Sequence, residues 1–296
     1  MSADEALESH RRAGVIARKA RELGLSLVKP GASYLSVAES VEKFILDSGA
    51  RLAFPANIAV DDVAAHYTPL PDDRLAFQSG QLVKLDVGTH VNGCIADTAA
   101  TVEAGTNRWA QLAEASRAAL DAALDVLGPG IELRKVGGAV ERTITARGYR
   151  PISNLCGHSV AAYDLHAGHS IPNVADDNCD TLAVGEVVAV EPFATNGAGH
   201  VSGKKNSNIY RLLRQPSQGD AESYPLAGEI YAEFKQLPFS ERWCATRSPK
   251  ASQQLAKLVR RGIVAFYPML MEARGGIVSQ TEHTVIITED GNEVIT

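Results

Sequence analysis

The pattern of apolar and polar positions predicts two helices at the start of the chain. Ser2 or Asp4 can cap a first helix that runs to about Val28, where a Lys-Pro-Gly sequence ends it. Ser33 can cap a second helix, whose apolar residues recur at helical spacing up to a glycine stop. An extended segment follows and runs from about Phe54 to Pro69.

A β-hairpin is predicted between Leu82 and Val102. Two runs of β-branched and small apolar residues flank Asn92-Gly93, a dipeptide that accepts the positive φ of a tight hairpin turn. A turn centred on this dipeptide pairs Val91 with Cys94.

The same register places two carboxylates on one face of the hairpin. Gly88 then faces Asp97 and Asp86 faces Ala99, so that the two aspartates are diagonal neighbours. Diagonal pairs lie roughly 7 to 8 Å apart at the backbone, within reach of one site. Two carboxylates directed at one point repel each other unless a proton or a cation lies between them, which suggests a metal. From the hairpin alone, two exposed strand aspartates are an equally good interpretation.

The remaining elements are read from the same periodicities. An Ala-rich helix is predicted from Thr106 to Gly128 and an amphipathic helix from Glu132 to Arg147. A histidine-rich loop and strand region covers Leu155–Val174, and a buried-strand run, Leu182–Ala194, has Glu191 embedded in it. Strands return from Gly276 to Thr296.

Composition and charge divide the chain into a body and an insertion. With 296 residues, 45% hydrophobic and 22% charged, the chain can form one large domain, predicted over 1–296. The net charge is −6, yet residues 201–261 carry eleven Lys or Arg against five Asp or Glu. Together with amphipathic helical patterns, this change in composition predicts an inserted, mainly helical subdomain at residues 197–266.

The sequence gives no reason to expect export, membrane insertion or DNA binding. The charged start of the chain is unlike a secretory signal, and no apolar run approaches the ~18 residues of a membrane span. The four cysteines lack paired spacing and are expected to be small buried residues in a reducing cytoplasm.

Five polar residues stand in or beside apolar strand runs, where an unpaired charge is costly: Asp86, Asp97, His158, Glu191 and Glu282. Four carboxylates and one imidazole form an oxygen-rich set that suits hard or borderline divalent ions, and carboxylates can bridge two such ions. Taken singly, each residue could equally be a salt-bridged or surface group.

The chain resembles the type II methionine aminopeptidases of the creatinase-like, pita-bread superfamily over nearly its whole length. The order and spacing of six motifs match, and the insertion before Glu282 is the feature that separates type II from type I members. The motifs are FPANIAVDDVAAHYTP from Phe54, KLDVGTHVNGCIADTA from Lys84, NLCGHSVAAYDLHAGHSIPNV from Asn154, VAVEPFATNGAG from Val188, LPFSERW from Leu237 and QTEHTVI from Gln280.

The resemblance implies an α+β fold in which two pseudo-symmetric αβ halves curve an antiparallel sheet around two divalent ions, drawn from cobalt, manganese, iron, zinc and nickel. Asp97 and Glu282 match the bridging carboxylates, Asp86 completes one ion, and His158 with Glu191 completes the other. A metal-bridging water would be the nucleophile and Glu191 its general base.

Further roles follow from the same resemblance. His166 matches the histidine that contacts the scissile amide and its developing oxyanion, and His66 matches the one near the leaving side of the bond. The positions that line the methionine pocket are Phe54, Leu165, His166, Ile209, Pro238 and Tyr267, of which Ile209 and Pro238 depart from residue types seen in some relatives.

The remaining histidines and Cys156 have structural interpretations. His10 and His200 are expected to be solvated, while His169 and His283 are expected to pack or hydrogen-bond behind matched ligands. Cys156 is expected to line the pocket without acting as a nucleophile.

The implied function is metal-dependent removal of initiator methionine from nascent polypeptides whose second residue is small. Two alternatives remain open: a proline dipeptidase or aminopeptidase P with the same fold, which generally carries an extra amino-terminal domain, and a non-catalytic relative that binds RNA or protein, which would lose metal ligands. The basic insertion could also dock on ribosomal RNA. A solvated face with several cations paired to acids explains its charge at least as well.

Overall fold

The computed structural model describes residues 1–296, apart from the side chain of Lys204. The helices have the following bounds: α1 (Ala3–Leu27), α2 (Tyr34–Asp47), α3 (Ala110–Val126), α4 (Leu133–Thr145), α5 (Gln218–Ser223), α6 (Pro225–Phe234), α7 (Glu241–Ala245) and α8 (Ala251–Arg260). The strands are β1 (Arg51–Val60), β2 (Val63–Ala65), β3 (Leu82–Val91), β4 (Cys94–Glu103), β5 (Arg150–Pro151), β6 (Cys156–Ser159), β7 (Ser170–Pro172), β8 (Val187–Val190), β9 (Phe193–Thr195), β10 (Val201–Leu212), β11 (Phe239–Ser240), β12 (Val264–Glu272), β13 (Val278–Gln280), β14 (His283–Thr288) and β15 (Gly291–Val294).

Two αβ halves form the body of the molecule. In the first half, α1 and α2 pack on the antiparallel sheet β1-β3-β4; in the second, α3 and α4 pack beside the antiparallel sheet β15-β14-β8-β6-β7. Each half has its own apolar core. The halves meet where Glu282 N–H donates to the Ala99 carbonyl at 2.9 Å and Asp97 N–H donates to Thr284 Oγ1 at 2.8 Å. This arrangement confirms the predicted pita-bread architecture.

The hairpin register agrees with the prediction residue by residue. Gly88 lies opposite Asp97, and Asp86 lies opposite Ala99. The turn residues of the Asn-Gly dipeptide have φ values of 54° and 91°, the left-handed conformation that the sequence favours there. Both aspartates therefore project from the same face of β3 and β4.

Residues 197–266 combine helices α5–α8 with strand β10, which pairs with β11 and β12 in a sheet that also includes β2. The helices enclose a separate apolar core. Helix α7 is joined to the body by a buried ion pair between Arg242 and Glu42, with an N–O distance of 2.7 Å.

Three local expectations differ from the structure. Helix α3 begins at Ala110 and not at Thr106, because Glu103 accepts hydrogen bonds from the Thr106 hydroxyl and from Trp109 N–H and so closes a turn before the helix. Glu191 lies between β8 and β9 and not inside a strand. His10 is buried, and its Nδ1 lies 2.7 Å from the Ile95 carbonyl, so the expectation that it is solvated is wrong.

Candidate active site

A cavity of about 380 Å³ opens between the hairpin, the loop after β6 and the strands of the insertion. The structure brings all the predicted ligands, site histidines and pocket residues to this one cavity. They are Phe54, His66, Asp86, Asp97, His158, Leu165, His166, Glu191, Ile209, Pro238, Tyr267 and Glu282.

Five different segments supply the candidate metal ligands. Asp86 comes from β3, Asp97 from β4 and His158 from β6, while Glu191 follows β8 and Glu282 precedes β14. Strand pairing explains their convergence, because β6 and β14 both pair with β8 and the Ala99–Glu282 bridge joins β14 to the hairpin.

The ligand atoms lie at distances that one cation could span. Asp97, His158 and Glu282 each offer an atom within 4.8 Å of the other two. His158 Nε2 is 3.7 Å from Asp97 Oδ2 and 3.8 Å from Glu191 Oε1. The other ring nitrogen, Nδ1, lies 3.4 Å from the Ser159 carbonyl. Because a carbonyl only accepts, this contact leaves the Nε2 lone pair directed at the carboxylates, as in metal-binding histidines.

Burial and mutual repulsion keep these groups from ionising normally. Burial raises the pKa of Asp86 to about 7. The pKa values of Asp97, Glu191 and Glu282 also lie well above the usual range, first through burial and then through the charges of neighbouring carboxylates. Burial lowers the pKa of His158 to about 3. The nearby side chains therefore supply too little positive charge to keep all four carboxylates ionised at once.

Divalent cations fit this donor set. Asp86 Oδ1 and Asp97 Oδ1 are buried, and within the described part of the chain neither has a hydrogen-bond partner. Buried carboxylate oxygens are normally satisfied, so two unpaired ones directed into the same cluster indicate a ligand. Carboxylates with one neutral imidazole are the ligands that hard or borderline divalent ions prefer.

Two residues near the cluster were not among the site residues predicted from the sequence. Gln280 Nε2 lies 3.4 Å from Glu191 Oε2 and 3.4 Å from Glu282 Oε2, and so spans two ligands. Asn57 lines the cavity opposite Asp86 in the β1–β3 register. The signal for each was a polar residue in an apolar strand run, the same signal that identified the carboxylates.

A hydrogen-bond network supports Glu282 from behind. Arg21 of α1 donates to the Thr98 hydroxyl, and Thr98 donates to the Glu282 carbonyl at 2.8 Å. His283 Nδ1 lies 3.0 Å from Thr296 Oγ1 and 3.4 Å from Arg21 Nη1. His283 therefore occupies the supporting position that the sequence predicted.

Both site histidines line the cavity. His166 packs against His158 with ring centroids 4.5 Å apart, and His66 packs edge-on against Tyr267 at 5.2 Å. His66 Nδ1 is 3.3 Å from the Pro268 carbonyl, which leaves Nε2 as an acceptor. Burial lowers the pKa of His66 to about 4, and burial with the charge of Arg211 lowers that of His166. Both rings are therefore neutral at pH 7.

The structure agrees with some of the other sequence expectations and differs from others. His200 is exposed, as predicted, and His169 lines the cavity, with Nδ1 3.4 Å from Asp180 Oδ2 and Nε2 3.5 Å from Glu186 Oε1. Cys156 lines the cavity but is exposed, as is Cys179, so the expectation of buried cysteines holds only for the other two.

Part of the basic charge of the insertion is paired. Arg242 is buried against Glu42, Arg214 pairs with Asp220 at 2.6 Å, and Arg247 pairs with Glu233. Six further Lys and Arg side chains of the basic segment are exposed: Lys205, Arg211, Lys250, Lys257, Arg260 and Arg261. Lys204, also counted in the basic segment, lies outside the described side chains.

Sequence comparison relates the chain to known enzymes. The model of metallopeptidase family M24 matches residues 8–289. The methionine aminopeptidase of Pyrococcus horikoshii is 43% identical to the chain over 300 residues, and the alignment covers 100% of both sequences. That of Methanocaldococcus jannaschii is 41% identical, with 99% of each chain covered.

Structural comparison finds the same fold in several solved proteins. A methionine aminopeptidase from Thermotoga maritima superposes with a TM-score of 0.72 at 21% identity, covering 99% of this chain and 96% of that one. A thermophilic Arx1 gives 0.86 at 19% identity, covering 100% and 91%. The prolidase from Pyrococcus furiosus gives a TM-score of 0.63 at 19% identity. The superposition covers 99% of this chain but only 64% of the prolidase chain. Among the described residues, no helix combines the length and apolar character needed to cross a membrane.

Proposed function

The chain belongs to metallopeptidase family M24, and we propose that it is a methionine aminopeptidase that removes the initiator methionine from nascent polypeptides whose second residue is small. The observation that carries the proposal is the cavity in which buried carboxylates and His158 converge beside an apolar pocket. Identity above 40% over the full length to methionine aminopeptidases supports the choice of substrate. Divalent metal use follows from the family.

We propose that the site holds two ions. Asp97 and Glu282 would bridge them, Asp86 would complete the first, and His158 with Glu191 would complete the second. The unpaired oxygens of Asp86 and Asp97 support this assignment. When bound, divalent ions act as Lewis acids that activate water and polarise the scissile carbonyl.

The side chains around the ions would move the proton and hold the peptide. Glu191 would take the proton that the attacking water loses and pass it to the leaving amine, a role suited to its raised pKa. His166 would donate a hydrogen bond to the carbonyl oxygen as negative charge develops there. His66 Nε2, which is left as an acceptor, would receive the amide N–H on the leaving side.

An apolar wall would select the methionine side chain. Phe54, Leu165, Ile209, Pro238 and Tyr267 line the cavity beside His166. An unbranched thioether can follow the irregular surface that such side chains form, whereas a branched or charged residue fits it poorly.

We also propose that residues 197–266 form an inserted subdomain that contributes to this wall. Ile209 and Pro238 belong to it. Its separate apolar core supports that division of the chain.

A peptidase assay tests the proposal. Metal-stripped protein with a divalent ion added back should cleave Met-Ala peptides and leave Leu-Ala and Xaa-Pro peptides nearly uncut, because the pocket recognises the first side chain. Comparable cleavage of Xaa-Pro peptides would instead favour a proline peptidase. The partial coverage of the prolidase chain agrees with the extra domain expected of that class.

The exposed cations of the insertion support a second proposal, that the protein docks on ribosomal RNA while it meets nascent chains. Charge reversal at Lys205, Arg260 and Arg261 should weaken co-sedimentation with ribosomes at low salt and leave cleavage of free peptides intact. A matched control reverses three exposed cations of the body, namely Lys29, Arg74 and Arg147. Equal effects of the two triple reversals, or absence of binding by the unmodified protein, would show that the insertion serves only the pocket and the fold.

A further inference from the structure

The loop between β6 and β7 carries His166, and Tyr163 attaches this loop to the tip of the β3–β4 hairpin. Tyr163 N–H donates to the Gly93 carbonyl at 3.0 Å. Its ring packs edge-on against His90, with centroids 5.3 Å apart and planes 64° apart. Gly93 N–H in turn donates to His90 Nδ1 at 3.1 Å. The tyrosine thus contacts the hairpin turn through both its backbone and its ring.

Glycine at position 93 is needed for this contact as well as for the turn. A Cβ atom there would overlap the ring carbons of Tyr163. Gly93 also has a φ of 91°, which other residues rarely adopt. The Asn-Gly sequence of the hairpin therefore provides the surface on which the tyrosine ring lies.

Tyr163 itself adopts a φ of 60°, a left-handed conformation that is unfavourable for an aromatic residue. The turn around it is closed by reciprocal hydrogen bonds between Ala161 and Asp164, at 2.9 and 3.0 Å. Strain of this kind persists only where surrounding contacts determine the conformation. The contacts with Gly93 and His90 are such determinants.

This attachment connects two parts of the candidate active site. Three residues after Tyr163, the His166 ring lies 4.5 Å from that of His158, and the hairpin under Tyr163 carries Asp86 and Asp97. We propose that Tyr163 is a positioning residue that fixes His166 relative to the metal ligands of the hairpin. The inference rests on the proposed function, which assigns His166 to the scissile bond.

Two substitutions separate the ring from the backbone conformation. Tyr163→Asn removes the ring but tolerates the left-handed conformation, and Tyr163→Phe keeps the ring. Tyr163→Asn should lower kcat for a Met-Ala peptide by about tenfold to a hundredfold, since a small misplacement of a catalytic contact has effects of this size. Bound metal should stay at the wild-type level, and Tyr163→Phe should restore kcat. If Asn at this position unfolds the protein, Tyr163→Leu carries the same test.

A double-variant cycle with His166→Ala shows whether the effect passes through His166. If it does, Tyr163→Asn should change kcat by no more than about twofold when His166 is already absent. An equal loss in both backgrounds, or a wild-type kcat for Tyr163→Asn, would overturn the role of Tyr163 and leave the proposed function intact. An unchanged kcat for His166→Ala alone would overturn the assignment of His166 and, with it, this role.

Discussion

At the scale of single residues, the two cavity histidines have different hydrogen-bonding capacities. His66 is held with a φ of 63° and has its Nδ1 3.3 Å from the Pro268 carbonyl, so one nitrogen is already used. His166 lies on a loop beside His158, and its backbone N–H contacts Asp164 Oδ1 at 3.3 Å. Because both rings are neutral at pH 7 and His66 already uses its Nδ1–H, His66 has only an acceptor left for a peptide, whereas His166 can donate one hydrogen bond and accept another.

His166→Ala should lower kcat by about a hundredfold to a thousandfold, the usual effect of removing one hydrogen-bond donor to a developing oxyanion. Steady-state cleavage of a Met-Ala peptide, with bound metal counted in the same samples, measures this loss. His200→Ala, which removes an exposed histidine, is the matched control and should leave kcat unchanged. A change confined to KM would show that His166 only holds the peptide.

At the scale of elements, a buried ion pair is one of the contacts that join the insertion to the body. Arg242 of α7 donates to both carboxylate oxygens of Glu42 in α2, at 2.7 and 2.8 Å. Trp243 Nε1 donates to Glu42 Oε2 at 2.9 Å, and Ala56 N–H of β1 donates to Oε1 at 3.2 Å. A single carboxylate therefore joins the insertion, α2 and β1.

Glu42→Gln should lower the free energy of unfolding by about 3 to 5 kcal/mol, because it leaves the buried guanidinium of Arg242 without a countercharge. Urea unfolding followed by circular dichroism measures the change. Lys43→Met breaks the exposed neighbouring pair with Asp47 and should cost less than about 0.5 kcal/mol. Similar losses in the two variants would contradict the account of Glu42 as the buried connection.

The elements that the sequence predicts well are those whose signals are local. The Asn-Gly turn determines its own register, so the shared face of Asp86 and Asp97 follows from the hairpin alone. Helix α1 begins at the predicted cap, where Ser2 Oγ accepts from Glu5 N–H. His10 was wrongly expected to be solvated, because the hairpin that covers it is far away in sequence.

The convergence of the site shows the same division between local and distant signals. Strandlike apolar runs identify the five candidate ligands individually, but their meeting depends on the pairing of β6 and β14 with β8. Family resemblance supplied that long-range information. Gln280 has no local signal beyond polarity, since its contact with Glu191 arises only when β13 pairs with β9.

At the scale of the whole molecule, the buried carboxylates couple folding to protons and metal. In the metal-free folded protein their pKa values are raised, that of Asp86 to about 7, whereas in the unfolded chain they fall near 4. The folded state thus binds more protons between these values. Their contribution to the free energy of unfolding is therefore greatest at low pH and falls as pH rises above about 4, for Asp86 until about pH 7.

Metal should consequently raise the melting temperature more at pH 7.5 than at pH 5.5. At the lower pH the ions compete with protons for the carboxylates, and at the higher pH they relieve the repulsion. Thermal unfolding of stripped and metal-loaded protein at both pH values measures the effect. Asp97→Asn with Glu282→Gln, which removes two of the charges, should reduce the difference. Equal stabilisation of the unmodified protein at the two pH values would contradict this linkage.

The central claim, that converging carboxylates bind two ions on which peptide hydrolysis depends, is tested most directly by titrating stripped protein with manganese. Ions bound per chain and cleavage of a Met-Ala peptide are measured in the same samples. The account predicts two bound ions and full activity for the unmodified protein. It also predicts loss of at least one ion, together with activity, in Asp97→Ala and Glu282→Ala, because each change removes a carboxylate that is proposed to bridge the two ions. Retention of two tightly bound ions and activity in either variant would contradict it.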